Sequence, residues 1–416
     1  MTLLAPLANR TFARLFGAQV TALLGTGLLT IALALLAYDL AGARGGLVLG
    51  YALTLKMVAY VGIAPVANAF LGHLPRRGLL VTLDLVRAGV ALMLPFVTEI
   101  WQIYVLIFVL QAASAAFTPT FQATIPDILP DERSYTSALS LSRLALDIEN
   151  LASPALAALL LTLMPASALF FGTAAGFLGS AALVWRADPP RAPARPAASV
   201  WQRTSAGTRI FLATPRLRGL FALNLAAAAG GAMVIVNTAV IVGTLFEGSR
   251  TGVAVATGAF GVGSMLAALA LPRLLSALPD RPVMLTGAAG LSVSLIFGAV
   301  ILALAPAFAA ELWPAYLIWM AATGLAYSTI LTPTGRLLRR SAEAAERPAL
   351  FAAQFALSHL CWLVTYPLAG ILGAWAGMTT AAVLLGLLAA LATLGAMRLW
   401  PRALSDPSAS DERARG

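Results

Sequence analysis

The 416-residue chain is 60% apolar and only 11% charged, with a mean hydropathy of +0.87, well beyond what a soluble domain of that length needs. Its net charge of +10 would suit a nucleic-acid partner, but no aromatic residues interleave with the arginines as stacking platforms, so nucleic-acid binding is set aside. One cysteine, Cys361, excludes an internal disulfide, two histidines leave a zinc hydrolase unsupported, and no glycine-rich phosphate loop ending in Lys-Ser or Lys-Thr is present to bind ATP; neither an enzyme, a cofactor nor a resident metal is expected.

A helix of ~20 apolar residues crosses the ~30 Å hydrocarbon layer, and only helices or closed barrels satisfy every backbone group there. Twelve apolar runs predict helices near residues 12–40, 46–72, 78–98, 101–125, 134–163, 166–186, 219–245, 251–273, 282–305, 311–336, 349–375 and 378–400. The first follows Arg10 and Arg14 and is far longer than a signal-peptide core, so it is expected to stay in the protein. The second carries the only lysine, Lys56, about ten residues or roughly 15 Å from its outer end. In the third, Asp84 and Arg87 are three apart and can neutralise each other. The fifth holds Arg143, Asp147 and Glu149.

After the sixth run, Ala187 to Arg218 contains Pro189, Pro190, Pro193 and Pro196 and reads as a linker, with a surface helix near Val200 to Leu212. The expected division is thus a six-helix bundle over 1–186, a cytoplasmic linker over 187–218, a second six-helix bundle over 219–400 and a cytoplasmic tail over 401–416. Alternate gaps between the runs hold 22 arginines, and the other set holds two, Arg44 and Arg250. By the positive-inside bias both termini are cytoplasmic, and the expected location is a bacterial inner membrane, spanned many times.

The two halves repeat. Thr118-Pro119-Thr120 recurs as Thr332-Pro333-Thr334, Arg133 follows the first proline at the distance at which Arg347 follows the second, Pro154 and Pro367 come next, and Leu15-Phe16 with Gln19 matches Leu220-Phe221 with Asn224. An even number of spans per half makes the repeats parallel, which places a substrate site near the bilayer midplane and implies alternating access.

Two six-helix halves, a basic central loop and cytoplasmic termini resemble the major facilitator superfamily over the whole chain. Ala64-Pro65 to Arg77-Gly78 is similar to that family's loop between helices 2 and 3. His73, Arg76 and Arg77 are its expected gating residues, although Gly72 and His73 stand where the family carries Asp and Arg. Ala116 to Pro119, Ile125 to Asp127, Asp131 to Arg133 and Ser153 to Ala158 are similar to the drug and siderophore exporter branch. In the antiporter-type helix Ser153, Pro154, Ala157 and Ala158 match a motif in which the family has glycines at the small-residue positions. Small residues still permit close helix packing.

Charge at mid-membrane depth costs on the order of 3 kcal/mol and marks a cavity or a partner, so Lys56 is the leading functional residue, set against a packing ion pair. Arg143 and Asp147 share a helix face, leaving Glu149, on the stripe of Ser142 and Ser153, for protonation. The resemblance puts helices 2 and 11 on one side of the cavity, so that His359, which titrates near neutrality, could approach Lys56. Proton coupling is therefore expected from Glu149, Asp147, Lys56 and His359. Gln19, Thr26, Gln111, Asn224, Asn237, Tyr327 and Gln354 are the expected substrate contacts, with Gln19 and Asn224 equated by the repeat. The expected function is export of a small molecule by proton antiport, from a monomer in the lipid bilayer. The alternatives are nickel or cobalt efflux, since parts of the chain also resemble the nickel-resistance permeases of the same superfamily, and a non-transporting sensor or assembly homologue.

Overall fold

A computed structural model of the chain describes residues 3–41, 45–71, 74–190, 200–246 and 250–400. His73 and the tail over 401–416 lie outside the described residues, as do the side chains of Pro154 and Ala158. Thirteen α-helices follow in chain order: α1 (Arg10–Ala41), α2 (Gly45–Leu71), α3 (Arg76–Met93), α4 (Ile100–Ile128), α5 (Glu132–Leu161), α6 (Leu169–Arg186), α7 (Val200–Ala213), α8 (Pro215–Leu245), α9 (Arg250–Ala277), α10 (Asp280–Leu331), α11 (Thr334–Arg339), α12 (Arg347–Ala376) and α13 (Met378–Leu399).

The sequence predicts separate helices near 282–305 and 311–336, and α10 merges them into 52 residues. A straight helix of that length would be about 78 Å long, more than twice the hydrocarbon thickness. It is not straight: Phe308 has φ −137° and ψ 41°, outside the helical region, with Pro306 and Pro314 on either side. Each proline removes a backbone donor and crowds the preceding turn, so α10 is two spans meeting at Phe308. Counted so, α1–α6 supply six spans, and α8, α9, the two arms of α10, α12 and α13 supply six more. By length and composition alone nine stretches of the described residues are apolar enough to cross a membrane. Dividing α10 adds one, and α2 and the charge-bearing α5 make up the rest. The fold is all-helical, with twelve transmembrane helices in the pattern expected.

The described chain clusters into two compact units, Met1–Ile210 with Ala342–His359, and Phe211–Ser341 with Leu360–Gly416. The first half of α12 thus belongs with α1–α6. Within the first unit α1 packs on α6 and α5, α2 on α4, and α3 on α4 and α6. The α1–α6 crossing needs glycine on both sides: a Cβ on Gly25 would lie 2.9 Å from the Thr173 carbonyl oxygen, and one on Gly176 2.7 Å from that of Thr21. Apolar cores centred on Leu94, Ile103 and Phe177 and on Leu15, Leu80 and Tyr135 fill this unit. Within the second unit α8 packs on α13 and α9 on α10, the same pairings that the repeat assigns to α1–α6 and α2–α4.

Each unit ties helix ends together with charge. In the first, Asp127 at the end of α4 accepts from Arg76 (2.7 Å) and Arg347 (3.1 Å). In the second, Asp280 at the start of α10 pairs with Arg340 (2.8 Å) and Arg336 (3.2 Å), and Arg336 also donates to the Leu275 carbonyl at 2.7 Å.

Candidate proton-coupling site

Lys56 lies on the inward face of α2. Among the described side chains of that helix the exposed positions are Tyr51, Thr54, Val58, Gly62, Val66 and Phe70, a stripe at helical spacing. Lys56 is two residues from both Thr54 and Val58, about 160° around the helix from each, and is half-buried. Its ammonium stands over the Tyr60 ring, 5.6 Å from the centroid, a favourable placement for a cation. The Tyr60 hydroxyl donates to Gln111 Oε1 on α4 at 3.0 Å, which orients the ring.

Residues from α12 also pack against that ring. His359 meets Tyr60 edge-on with centroids 4.7 Å apart, and Phe355 lies 4.8 Å from Tyr60 and 4.3 Å from His359. Phe355 also packs against Ala64 and Ala115. Since a carbonyl can only accept, the 2.7 Å contact from His359 Nδ1 to the Phe355 oxygen places the proton on Nδ1. Lys56 and His359 therefore both contact one ring, that of Tyr60.

Glu149 is a half-buried carboxylate on α5, one position round from the exposed Ile148. Gly27 of α1 faces it: a Cβ there would overlap Ser153 Oγ and come within 2.7 Å of Glu149 Oε1. Only glycine at 27 leaves room for both side chains. Asp147 turns away and is held by Arg143 at 3.1 Å, so the two acids of α5 do not share a site. Neither Lys56 nor Glu149 has an ion pair within 4.0 Å among the described residues.

The remaining residues singled out from the sequence are dispersed. Gln19 accepts from Ser142 at 2.9 Å, linking α1 to α5, and Thr26 donates to its own helix at Ala22. Gln111 belongs to the Lys56–Tyr60 group. In the second unit Asn237 donates to the Ala369 carbonyl at 3.2 Å, Asn224 is buried at 2% exposure, and Tyr327 stands between the rings of Phe260 and Trp362 at 5.5 and 6.3 Å. Gln354, at 8% exposure, falls in the part of α12 that belongs with the first unit. Ser153 and Ala157 are buried on α5. Arg76 is clasped by Asp127, and Arg77 stacks on Trp185 at 4.6 Å.

Asp84 and Arg87 form a sealed pair: Ser180 donates to Asp84 at 2.7 Å, and the guanidinium lies between the rings of Phe117 and Phe177 at 4.1 and 4.6 Å. Sequence reasoning passed over Tyr60, Phe355 and Gly27. The two aromatics sit one helical turn from Lys56 and His359, a spacing that could have drawn attention to them. Nothing local distinguishes Gly27. Among the described residues no three of His, Cys, Asp and Glu converge as a metal site would require.

Comparison with known proteins gives no match among curated sequences. Solved structures do match over nearly the full length. The human organic anion transporter MFSD10 (TETRAN) aligns with a TM-score of 0.73 at 12% identity, covering 93% of this chain and 99% of that one. A bacterial homologue of the iron transporter ferroportin, in an outward-facing state, gives 0.77 at 13%, covering 94% and 99%. The major facilitator transporter FucP in its outward conformation gives 0.70 at 15%, covering 93% and 98%. At such identities the likeness is one of fold. The sequence itself matches the family description "Major Facilitator Superfamily" over residues 15–293, and with that match added to the twelve spans and the paired bundles, the chain belongs to the major facilitator superfamily.

Proposed function

We propose that this major facilitator transporter exports a small molecule across the bacterial inner membrane by proton antiport and alternating access, with Glu149 as the proton-accepting carboxylate. The observation that carries the reading is the Glu149 carboxylate within a span, with no ion pair within 4.0 Å among the described residues and with Gly27 of α1 leaving room beside it. The sealed pairs Asp84–Arg87 and Arg143–Asp147 make the contrast, since their charges neutralise one another directly. A carboxylate that gains and loses a proton is what coupling needs, because proton and substrate must exclude each other at one electrostatic locus. The arginine bias supports cytoplasmic termini, and a monomer suffices for such a cycle.

Export of a divalent metal is the second reading, favoured by the fold likeness to the ferroportin homologue. The scatter of His, Cys and carboxylate side chains weighs against it. A non-transporting role would leave no reason to keep Lys56 and Glu149 within the spans. The test is proton flux in proteoliposomes bearing a pH gradient. Glu149→Gln is expected to abolish substrate-coupled proton movement while the protein still inserts, and undiminished coupling in that variant removes Glu149 from the cycle. A coupling signal with nickel or cobalt, and none with organic solutes, would favour the metal reading.

A further inference from the structure

We propose that the basic end of α6 is a seat for an anionic phospholipid, with Arg77, Trp185 and Arg186 as the groups that meet its phosphate. The lipid is a partner and not a cargo. Its seat stands whatever solute is carried and whatever couples the transport, because it needs only that these helices span a bilayer.

The lipid-facing side of α6 is marked by exposure. Phe171, Ala175, Leu178, Ala182 and Trp185 form one exposed stripe, spaced alternately four and three residues apart. Trp185, 60% exposed, ends that stripe in the last turn of the helix, where a tryptophan sits at headgroup depth. α3 packs on α6 and carries its own exposed stripe of Gly78, Thr82 and Leu85, which starts one residue after Arg77. The Arg77 guanidinium lies over the Trp185 ring at 4.6 Å, and so is held at the lipid boundary. Its neighbour Arg76 turns inward instead, to Asp127.

The charges at that end are out of balance. Three guanidinium groups gather around the final turn of α6: Arg186, its last residue; Arg77, stacked on Trp185; and Arg14 of α1, which donates to the Arg186 carbonyl. Arg14 satisfies a helix-end carbonyl and needs no ligand. Arg77 and Arg186 are different, since neither has an acid within 4.0 Å among the described residues, and Arg77 Nε is buried with no hydrogen-bond partner. Asp188, two residues beyond α6, is exposed and bonded to none of the three; three positive charges against one negative leave two. An aromatic face positions a guanidinium without neutralising it. A phosphodiester supplies what is missing, a negative charge on two oxygens that match the guanidinium fork, and its acyl chains can lie along the exposed stripe below Trp185. A soluble anion has the charge without the chains.

Phosphatidylglycerol and phosphatidylcholine, each brominated in the acyl chains near the glycerol, quench tryptophan fluorescence on contact and differ in headgroup charge. Added to the purified full-length protein in mixed detergent micelles, the phosphatidylglycerol is expected to quench more strongly at equal mole fraction. Trp185→Phe keeps an aromatic face, removes the reporter and is expected to abolish that excess. Arg77→Gln and Arg186→Gln are each expected to raise the phosphatidylglycerol midpoint about fivefold, the ratio that ~1 kcal/mol per basic residue sets. Arg186→Gln decides the matter should Arg77→Gln fail to fold, since Arg186 is exposed. Arg398→Gln, at an exposed site in the last turn of α13, is expected to leave the midpoint where it was. Equal quenching by the two lipids, an excess that survives Trp185→Phe, a midpoint unmoved in Arg186→Gln, or an equal shift in Arg398→Gln would each overturn the proposal. Loss of the excess on adding glycerol phosphate would overturn it as well, by assigning the arginines to a soluble phosphate.

Discussion

The two units divide their chemistry unequally. In the first, charge lies inside the spans: Lys56, the Asp84–Arg87 and Arg143–Asp147 pairs, and Glu149. In the second the charged side chains of α8, α9, α10 and α13 cluster at helix ends, apart from Glu311 beside the break in α10. That interior is aromatic instead. Phe246, Trp313, Tyr316 and Trp319 form one continuous row with centroids 4.8 to 5.7 Å apart, and Phe260, Tyr327, Trp362 and Tyr366 form another at 4.9 to 6.3 Å. The repeat keeps its helix pairings while exchanging charge within the spans for aromatic surface. The helix-end clasps carry the same lesson, because the acid ends α4 in one unit and begins α10 in the other. Opposite polarity still ties the same two helix ends.

The sharpest way to break the comparison is at a sealed pair. Asp84→Ala leaves the Arg87 guanidinium buried and unpaired, and a loss of about 3–5 kcal/mol is expected for removing one partner of a buried ion pair, read as a large fall in the detergent melting temperature. A result within error of wild type would mean that water reaches Arg87. Asp280→Ala should cost less, on the order of 2 kcal/mol for a lost charge-assisted bond, because Arg340 is more than a third exposed at its side chain and can be solvated, while the buried Arg336 keeps its bond to the Leu275 carbonyl. The paired loss in Asp127→Ala tests whether reversed polarity carries equal weight.

In the aromatic unit, Trp319→Phe removes the indole N–H that donates to the Ser294 carbonyl at 2.7 Å. About 1 kcal/mol is expected, read in the detergent melting temperature, with substrate-coupled proton movement in proteoliposomes unchanged. Lost coupling in that variant would contradict the placing of proton exchange in the first unit. The smallest effect belongs to Asp131, the exposed cap of α5. Its carboxylate accepts from the Ser134 N–H at 2.8 Å, and that backbone bond, with the Ser134 hydroxyl, holds its pKa below the usual carboxylate value. A depressed folded-state pKa gives stability that is present above the unfolded value of about 3.9 and is lost as pH falls through the folded one. Asp131→Asn should keep the cap while flattening that acid slope in a melting-temperature series, and an unchanged slope would assign it to other carboxylates.

Much of the fold is legible from the apolar runs, because a bilayer leaves the backbone no alternative to helices. The ends of α4, α5 and α9 fall within a few residues of the predicted ones. The break at Phe308 follows from the prolines on either side, although it lies within one uninterrupted run of assigned helix. The Thr-Pro-Thr repeat is recognisable yet resolves in two ways. α4 continues through Pro119, while α10 ends before Pro333 and the short α11 starts anew, as Arg336 is drawn to Asp280 and the Leu275 carbonyl. Local sequence does not contain that pull. The i to i+4 pair of Arg143 and Asp147 is a property of one helix and could be read directly; the partner of Lys56 could not.

Composition and periodicity alone determined that the chain spans a membrane many times as helices, that its halves repeat, and that one lysine and one glutamate stand where charge is costly. Tertiary packing alone decided that Tyr60 and the α12 residues Phe355 and His359 meet beside Lys56, that Gly27 opens room at Glu149, and that half of α12 belongs with the first unit. The reason is physical: hydropathy and helical period act within one segment, whereas a charge acquires its meaning from groups on other helices, far off in sequence and near in space.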